Sequence, residues 1–507
     1  MLPTLSCCAV LLCTACAASE STDSLVSITI YSAANAGDFD PQQFIDQQRA
    51  GMDPQSAWAI PGFGVVRETR RMQLPKGEGW VPCTDVAQFL DPTTVRFTDL
   101  DDPATSVLEQ RMEFDLVNGA KLLQKYIDRG VVITSAMGDQ VHRTEGTLLS
   151  TNGGQAVIQT SEGIKIVPTN NATIALSSLP EGLRTKPTLL WRVASASGGD
   201  HKVRVDYTTA GLTWRADYIL VVGADEQTAS LAAWVSLLNV SGATWKDAEL
   251  RLIAGSVRRV QSRRQPESLR MGRSLSGMGG NSGFEEAAFG EYHRYTLGRT
   301  VDLSANSTQQ LTLFPTADAV KVREELIFDG SYGGGFGDSP NFSAQEGDSG
   351  NTTVTVWIIA DNTSAAGLGM PLPAGKVRVS QTDAKGSTEF VGEDLIGHTA
   401  RGATLRLNIG DSFDVTGTRK RMNFSVDSSK RIARETIEIT LKSGKPTPQV
   451  VTVKEKLWRW SGWTLEEVTV DGKPVELTKV DASTVQRQIT VPPEGSSTLR
   501  FTAVYSW

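Results

Sequence analysis

Apolar and polar residues alternate along most of this chain, in short runs separated by Gly, Asn, Asp and Pro. Val26, Ile28 and Ile30 open the pattern. A second run extends from Gly64 to Leu74, and an extended stretch from Thr94 to Asp99 follows Asp91-Pro92. Period-two alternation sends successive side chains to opposite faces, so each run predicts a half-buried strand. Between Val131 and Leu176 the runs EGTLLS, QAVIQ and IKIVP are split by Thr151-Asn152-Gly153-Gly154 and by Ser161-Glu162-Gly163. Asn-Gly supplies the positive φ angles of a tight hairpin, which predicts a meander or small barrel. One helix is expected. After Asn118-Gly119, the residues Leu122, Leu123, Tyr126 and Ile127 share one helical face of AKLLQKYID.

The strongest pattern lies in Tyr207–Gly255, two long strand-like runs joined by an acidic polar turn and followed by a further strand. Trp214, Trp234 and Trp245 are its expected core anchors. Further on, Leu405, Leu407 and Ile409 alternate with polar residues, as do Ile437, Ile439 and Leu441, and Asp471-Gly472 predicts a hairpin. Leu499, Phe501, Ala503, Tyr505 and Trp507 end the chain at strict period two, so Trp507 is expected to pack inside. Arg263–Gly290 and Ser331–Asn351 are low in complexity and are expected to be disordered loops extruded from a β-domain. The stretch AANAGDFDPQQFIDQQRAGMDPQ has the same disordered look.

A chain of 507 residues is too long for one core. The expected fold is mainly β: a small N-terminal β-region with one short helix and a barrel-like meander, then two or more immunoglobulin-like β-sandwich domains. The expected boundaries are 1–19 for a signal segment or lipoprotein leader, 20–130 for the N-terminal region and 131–188 for the meander or barrel. A central sandwich region covers 189–430, with its loops near 263–290 and 331–351, and a C-terminal sandwich domain covers 431–507. The net charge of −7 and the scatter of basic residues argue against a nucleic-acid partner. Four of the five cysteines fall at Cys7, Cys8, Cys13 and Cys16, leaving Cys83 alone, so the β-cores must hold by packing without a disulfide framework.

Leu5–Ala18 is an apolar run of the length of a signal-peptide core, too short to span a bilayer. Ala15-Cys16-Ala17 offers small residues for cleavage. Leu12-Cys13-Thr14-Ala15-Cys16 resembles a bacterial lipobox, with Cys13 where Leu is usual, which makes Cys16 a candidate for lipidation. MLPTL carries no Lys or Arg, a departure from the usual charged start that fits a start codon upstream. Export is expected, with the protein periplasmic, membrane-anchored or extracellular, and membrane contact only through an N-terminal lipid.

Several blocks taken together resemble the domain of unknown function 4139 family, which includes the mucoidy inhibitor A-like proteins. They are YTTAGLTWRADYILVV with WVSLLNVSGATWKDAELRLIAG, EYHRYTLGRTVDL, GLGMPLPAGKVRVSQTDAKGSTEFVGEDLIGHT and the terminal FTAVYSW. GFGVVRETRRMQLP, LDPTTVRF, VLEQRMEFDLVNGAKLLQKYID and EGTLLSTNGG look like the region that precedes it. The resemblance runs from about Gly62 to Trp507. It implies a bacterial, often exported, β-rich protein with no established activity or catalytic residues, and the family's name suggests a link to envelope polysaccharide.

Candidate chemistry is sparse. The histidines His142, His201, His293 and His398 show no metal-ligand spacing, so no metal or cofactor is expected. Glu393, Asp394 and His398 gather two carboxylates and an imidazole, which could ligate a metal or move protons, although pinning a turn is the favoured reading. Trp458, Trp460 and Trp463 could stack on sugar rings. Trp458 and Trp460 share a strand face at i, i+2, however, and core packing is favoured. Arg215 and Asp217 read best as a cross-strand ion pair, and Cys83 as a buried thiol. The resulting expectation is a non-enzymatic exported β-sandwich protein acting through protein or cell-envelope contacts. An envelope carbohydrate-binding module is the alternative and a hydrolase the third reading.

Overall fold

The computed structural model describes residues 25–31, 40–49, 60–113, 117–137, 140–180, 183–255, 284–289, 292–331, 339–347 and 350–507. It is mainly β with several sheets, consistent with a β-sandwich protein. The alternation in the sequence is its cause: Leu231, Ala233 and Val235 point inward along one strand, as do Leu499, Phe501, Ala503 and Tyr505 along another. No helix among the described residues is long and apolar enough to cross a membrane.

The described residues form four sheets. A seven-stranded sheet has the order Phe284–Phe289, Tyr292–Leu303, Trp245–Ala254, Val26–Tyr31, Phe63–Leu74, Gly199–Thr209, Arg96–Asp99. Within it Val26–Tyr31 runs parallel to Trp245–Ala254, with Ile28 opposite Leu250. A fourteen-stranded sheet starts at the edge strand Thr388–Ile396 and passes through Leu212–Val222 and Thr228–Asn239 to the terminal strand Ser496–Ser506 and beyond. A three-stranded sheet carries Val81, Trp191 and Val193 into the main core. The fourth, five-stranded, holds a small core of its own around Tyr126, Val131, Ile133, Leu148 and Ile158.

The main core joins Ile28, Ile30 and Val66 to Trp214, Tyr218, Val235 and Leu250. The expected N-terminal β-region therefore shares one core with the central region. A second core collects Leu326, Phe328, Val354, Val415, Ile437, Val451, Phe501 and Tyr505. A cut at residue 430 does not separate the two cores. The strand Ser307–Asp329 contributes Leu311, Leu313, Val320 and Val322 to the first and Leu326 and Phe328 to the second. Thr404–Asp427 does the same with Leu405 and Leu407, then Val415. Pro315 and the positive φ of Ala319 (58°) mark where the first of these strands bends, beside a series of register shifts against Thr228–Asn239. Bulges of this kind let one strand serve two packing layers.

Four expectations are corrected. The helix Gly119–Lys125 forms, its first turn closed by Asn118 Oδ1 accepting from Lys121 N at 2.8 Å, but a second helix, Pro41–Arg49, lies in the stretch read as disordered. Asp40 Oδ1 accepts from Gln42 N at 2.9 Å and Pro41 opens the helix, a standard start signal. Phe44 then packs on Ile60, Leu238 and Val240. Second, Trp234 is 36% exposed. Period two that buries Ala233 and Val235 forces it outward, whereas Trp214 and Trp245 are buried as expected. Third, both low-complexity segments are partly ordered: Phe284–Phe289 pairs with Tyr292–Leu303, and three arginines hold residues 341–347. Fourth, Trp507 is only half-buried, tilted against Phe342 with ring centroids 4.3 Å apart.

Candidate functional sites

The residues singled out in the sequence do not converge. Glu393 is an exposed carboxylate facing Lys376 at 3.3 Å and Arg378 at 3.6 Å. Its neighbour Asp394 spends both oxygens on backbone amides, Leu395 N and Asn408 N, each at 2.8 Å. His398 Nδ1 accepts from Ala374 N at 3.0 Å. Desolvation, with the charge of His293 adding to it, holds the His398 imidazole below its ordinary pKa. Each group pins a different turn or strand end, and no cluster of three potential ligands for a metal occurs among the described residues.

The aromatic trio is likewise not a platform. Residues 457–462 are not a strand, so the expected i, i+2 face is absent. Trp458 is 8% exposed, and Trp460 and Trp463 pack against the second core. The Trp463 indole donates to Ala482 O at 2.9 Å, with Lys479 over its ring. Trp458 is buried and the other two rings are half-buried against the core, which leaves little ring surface for sugar stacking at this place. Arg215 and Asp217 form a buried pair at 3.0 Å, but along one strand at i, i+2 rather than across two. Cys16 lies outside the described residues.

Sequence reading missed an Asp–His–Ser array. His201 Nδ1 lies 2.7 Å from Asp99 Oδ2, and His201 Nε2 lies 3.3 Å from Ser197 Oγ. Both Asp99 and His201 are buried. The spacing resembles a hydrolytic triad, yet the proton positions oppose one. Nε2 is also 3.3 Å from the Gly198 carbonyl, which can only accept. Both ring nitrogens therefore face acceptors, which suits an imidazolium and not a general base. Burial pulls the His201 pKa down, but the hydrogen bonds to Asp99 and Gly198 and the charges of Asp99 and Asp101 outweigh it and raise the value above 6.5. Asp99 is held below its ordinary range. Desolvation is opposed there by bonds from Thr105, Asp102 N, Asp101 N and His201. The array is a pin for the turn at Gly198-Gly199. A separation of 102 residues between its acid and its base hid it from any local motif.

Two further polar knots lie inside the cores. Glu68 accepts from Arg70 Nε at 2.6 Å, Trp245 Nε1 at 2.8 Å and Tyr207 OH at 3.1 Å. Arg70 Nη1 also reaches Cys83 Sγ at 3.4 Å. Desolvation nevertheless pushes the Cys83 thiol up to about 11, helped by Glu68 and Asp85 against Arg70, so the thiol is inert at neutral pH. In the second core, Arg419 pairs with Glu455 and Arg459 with Glu435, both at 2.9 Å and all four side chains at most 1% exposed. Their remaining donors go to one segment. Arg459 donates to the carbonyls of Asn341, Ser343 and Glu346, Arg419 to that of Gly347, and Arg421 to those of Ala344 and Glu346. Arg459 spends all five donors in this way and acts as a structural staple.

The chain is thus a mainly β protein built of several sheets. No protein-family model and no curated protein matches it.

Proposed function

We propose that this protein is an exported, non-enzymatic β-sandwich scaffold that acts through protein or cell-envelope contacts, of the domain of unknown function 4139 type. The observation that carries the reading is the commitment of three candidate reactive groups to scaffold bonds: His201 to Asp99 and Gly198, Asp394 to two amides, His398 to Ala374 N. Groups held this way orient turns and are unavailable to a substrate. Two cores threaded by common strands also supply a stiff body with extended sheet faces, suited to presenting surface and not to closing over a reactant. Attachment through Cys16 belongs to the same reading.

The test is affinity purification of the envelope-localised protein with mass spectrometry, with a Cys16→Ser variant run beside it. The expected outcome is a reproducible set of envelope partners, with membrane fractionation lost in the variant. Recovery of the protein from the cytosol in both forms refutes the export part. Hydrolysis of an ester or glycoside substrate that His201→Gln abolishes refutes the non-enzymatic part.

A further inference from the structure

The strands Ser307–Asp329, Gln449–Lys456 and Thr484–Val491 lie side by side, and one face of them floors an open cleft of about 740 Å³. The lining obeys period two: Glu325 with Ile327, Thr452 with Lys454, and Gln486 with Gln488. Register sets them in rows, with Ile327 opposite Thr452 and Thr452 opposite Gln488. Arg406, Arg487 and the short stretch around Thr478 and Val480 form the walls.

Charge in this cleft runs against that of the chain. Its cations are Arg406, Lys454 and Arg487, against the single carboxylate of Glu325, whereas the whole protein carries −7. Glu325 is already matched, by Arg406 at 2.9 Å and Arg323 at 3.5 Å. Lys454 is half-buried, and no carboxylate among the described residues pairs with it. Arg487 gives Nη1 to the Glu476 carbonyl at 3.0 Å, a neutral partner. Two cations thus line the cleft without a salt bridge to any carboxylate among the described residues, which makes the site attractive to negative charge.

The other lining groups narrow the ligand. Gln486, Gln488, Thr452 and Thr478 each combine donor and acceptor, the combination that pairs with adjacent sugar hydroxyls. Apolar surface is scarce, since Ile327 is 4% exposed and Val480 sits at the rim, so a lipid tail would bury little. No aromatic ring lines the cleft, which disfavours stacked nucleobases. A peptide adding to a sheet needs a free strand edge. The floor instead consists of paired strands, Gln449–Lys456 being bonded on both sides. We infer that this cleft binds an extended acidic oligosaccharide, its carboxylates held by Lys454 and Arg487 and its hydroxyls by Gln486, Gln488 and Thr452. This names the ligand of the envelope contact and rests on that reading.

The test is calorimetry on the purified full chain with a galacturonate hexamer, with maltohexaose and a glutamate hexapeptide as comparisons. The expected result is binding of the uronate alone, weakening as salt is raised, and a loss of about tenfold or more in Lys454→Glu and in Arg487→Glu. Lys165→Glu, on the five-stranded sheet and outside the cleft lining, should bind as the parent does. Gln488→Ala provides a neutral variant should either charge reversal fail to fold, and it should weaken binding several-fold. Equal binding of maltohexaose or the hexapeptide overturns the inference, as does a uronate that does not bind or one indifferent to all three cleft variants. Envelope partners recovered by affinity purification from a chain that ignores the uronate would sink this inference and leave the scaffold reading standing.

Discussion

Replacing Arg459 with leucine is the sharpest probe of how the second core is held. Its guanidinium is 1% exposed and bonds Glu435 through Nε and Nη2, both at 2.9 Å. It also feeds three carbonyls of the 341–347 segment and stacks near Phe424 at 4.1 Å and Trp458 at 4.6 Å. In Arg459→Leu the fully buried Glu435 is left without its partner, a change that costs about 3–5 kcal/mol. Lost carbonyl bonds add about 1 kcal/mol, since part of that segment can reach water. The expected total is about 4–6 kcal/mol. In Arg459→Leu/Glu435→Leu the stranded charge is gone, so most of the loss should return. The lost carbonyl bonds should not return. Urea unfolding followed by tryptophan fluorescence measures the first quantity, and hydrogen exchange of the 341–347 amides measures the second. A single variant costing less than about 1 kcal/mol would mean the pair behaves as a solvated one. A double variant as unstable as the single would equally refute the reasoning.

The other predictions concern separate parts of the fold. The His201 pKa is raised, so its contribution is complete below 6.5 and fades as pH climbs through the raised value; the Asp99 pKa is lowered, so its contribution fades only in strong acid. The Tm gap between the parent and His201→Gln should therefore be widest near about pH 5 and shrink above neutrality, and a gap that grows with pH would contradict the imidazolium assignment. Cys83 should resist alkylation at neutral pH in the native protein and react once it is unfolded, as read by mass spectrometry of its own peptide. Gly375→Ala should destabilise by about 1–3 kcal/mol or abolish folding, because its Cβ would sit 2.2 Å from the Ala216 carbonyl oxygen across a parallel strand pair. Unchanged thermal unfolding of that variant would show the strand pair to be more yielding than its geometry.

What the sequence revealed followed from local rules. Period two located the strands, and Asp471-Gly472 marked a hairpin turn, because alternation and positive φ are properties of neighbours; the earlier hairpin turns one residue later than expected, on Gly153-Gly154, with Asn152 paired to Gln155. Trp214 and Trp245 were legible as core residues, but Trp234 was not. A tryptophan's size suggests burial, while the phase of its strand decides it. The Asp40-Pro41 helix start was present and was masked by the polar residues around it. Long-range pairing was invisible: Arg459 with Glu435, His201 with Asp99, and the cleft at Lys454 all join residues whose contact depends on sheet order. The sharing of strands between the two cores was invisible for the same reason, since strand length alone does not say how many cores a strand enters.

The strands Ser307–Asp329 and Thr404–Asp427 impose an order on biosynthesis. Leu326, Phe328, Val354 and Val415 leave the ribosome well before the partners that cover them. Ser496–Ser506, which inserts between Ile432–Ser443 and Trp463–Val470, is made after both of them. Until it arrives the nascent chain carries half of a core and an unpaired strand edge, both prone to association with other chains. Commitment to the native state is thus deferred until Ser496–Ser506 has emerged. A chain stalled before Ser496 would be a client for chaperones or proteases, and not a partly working protein.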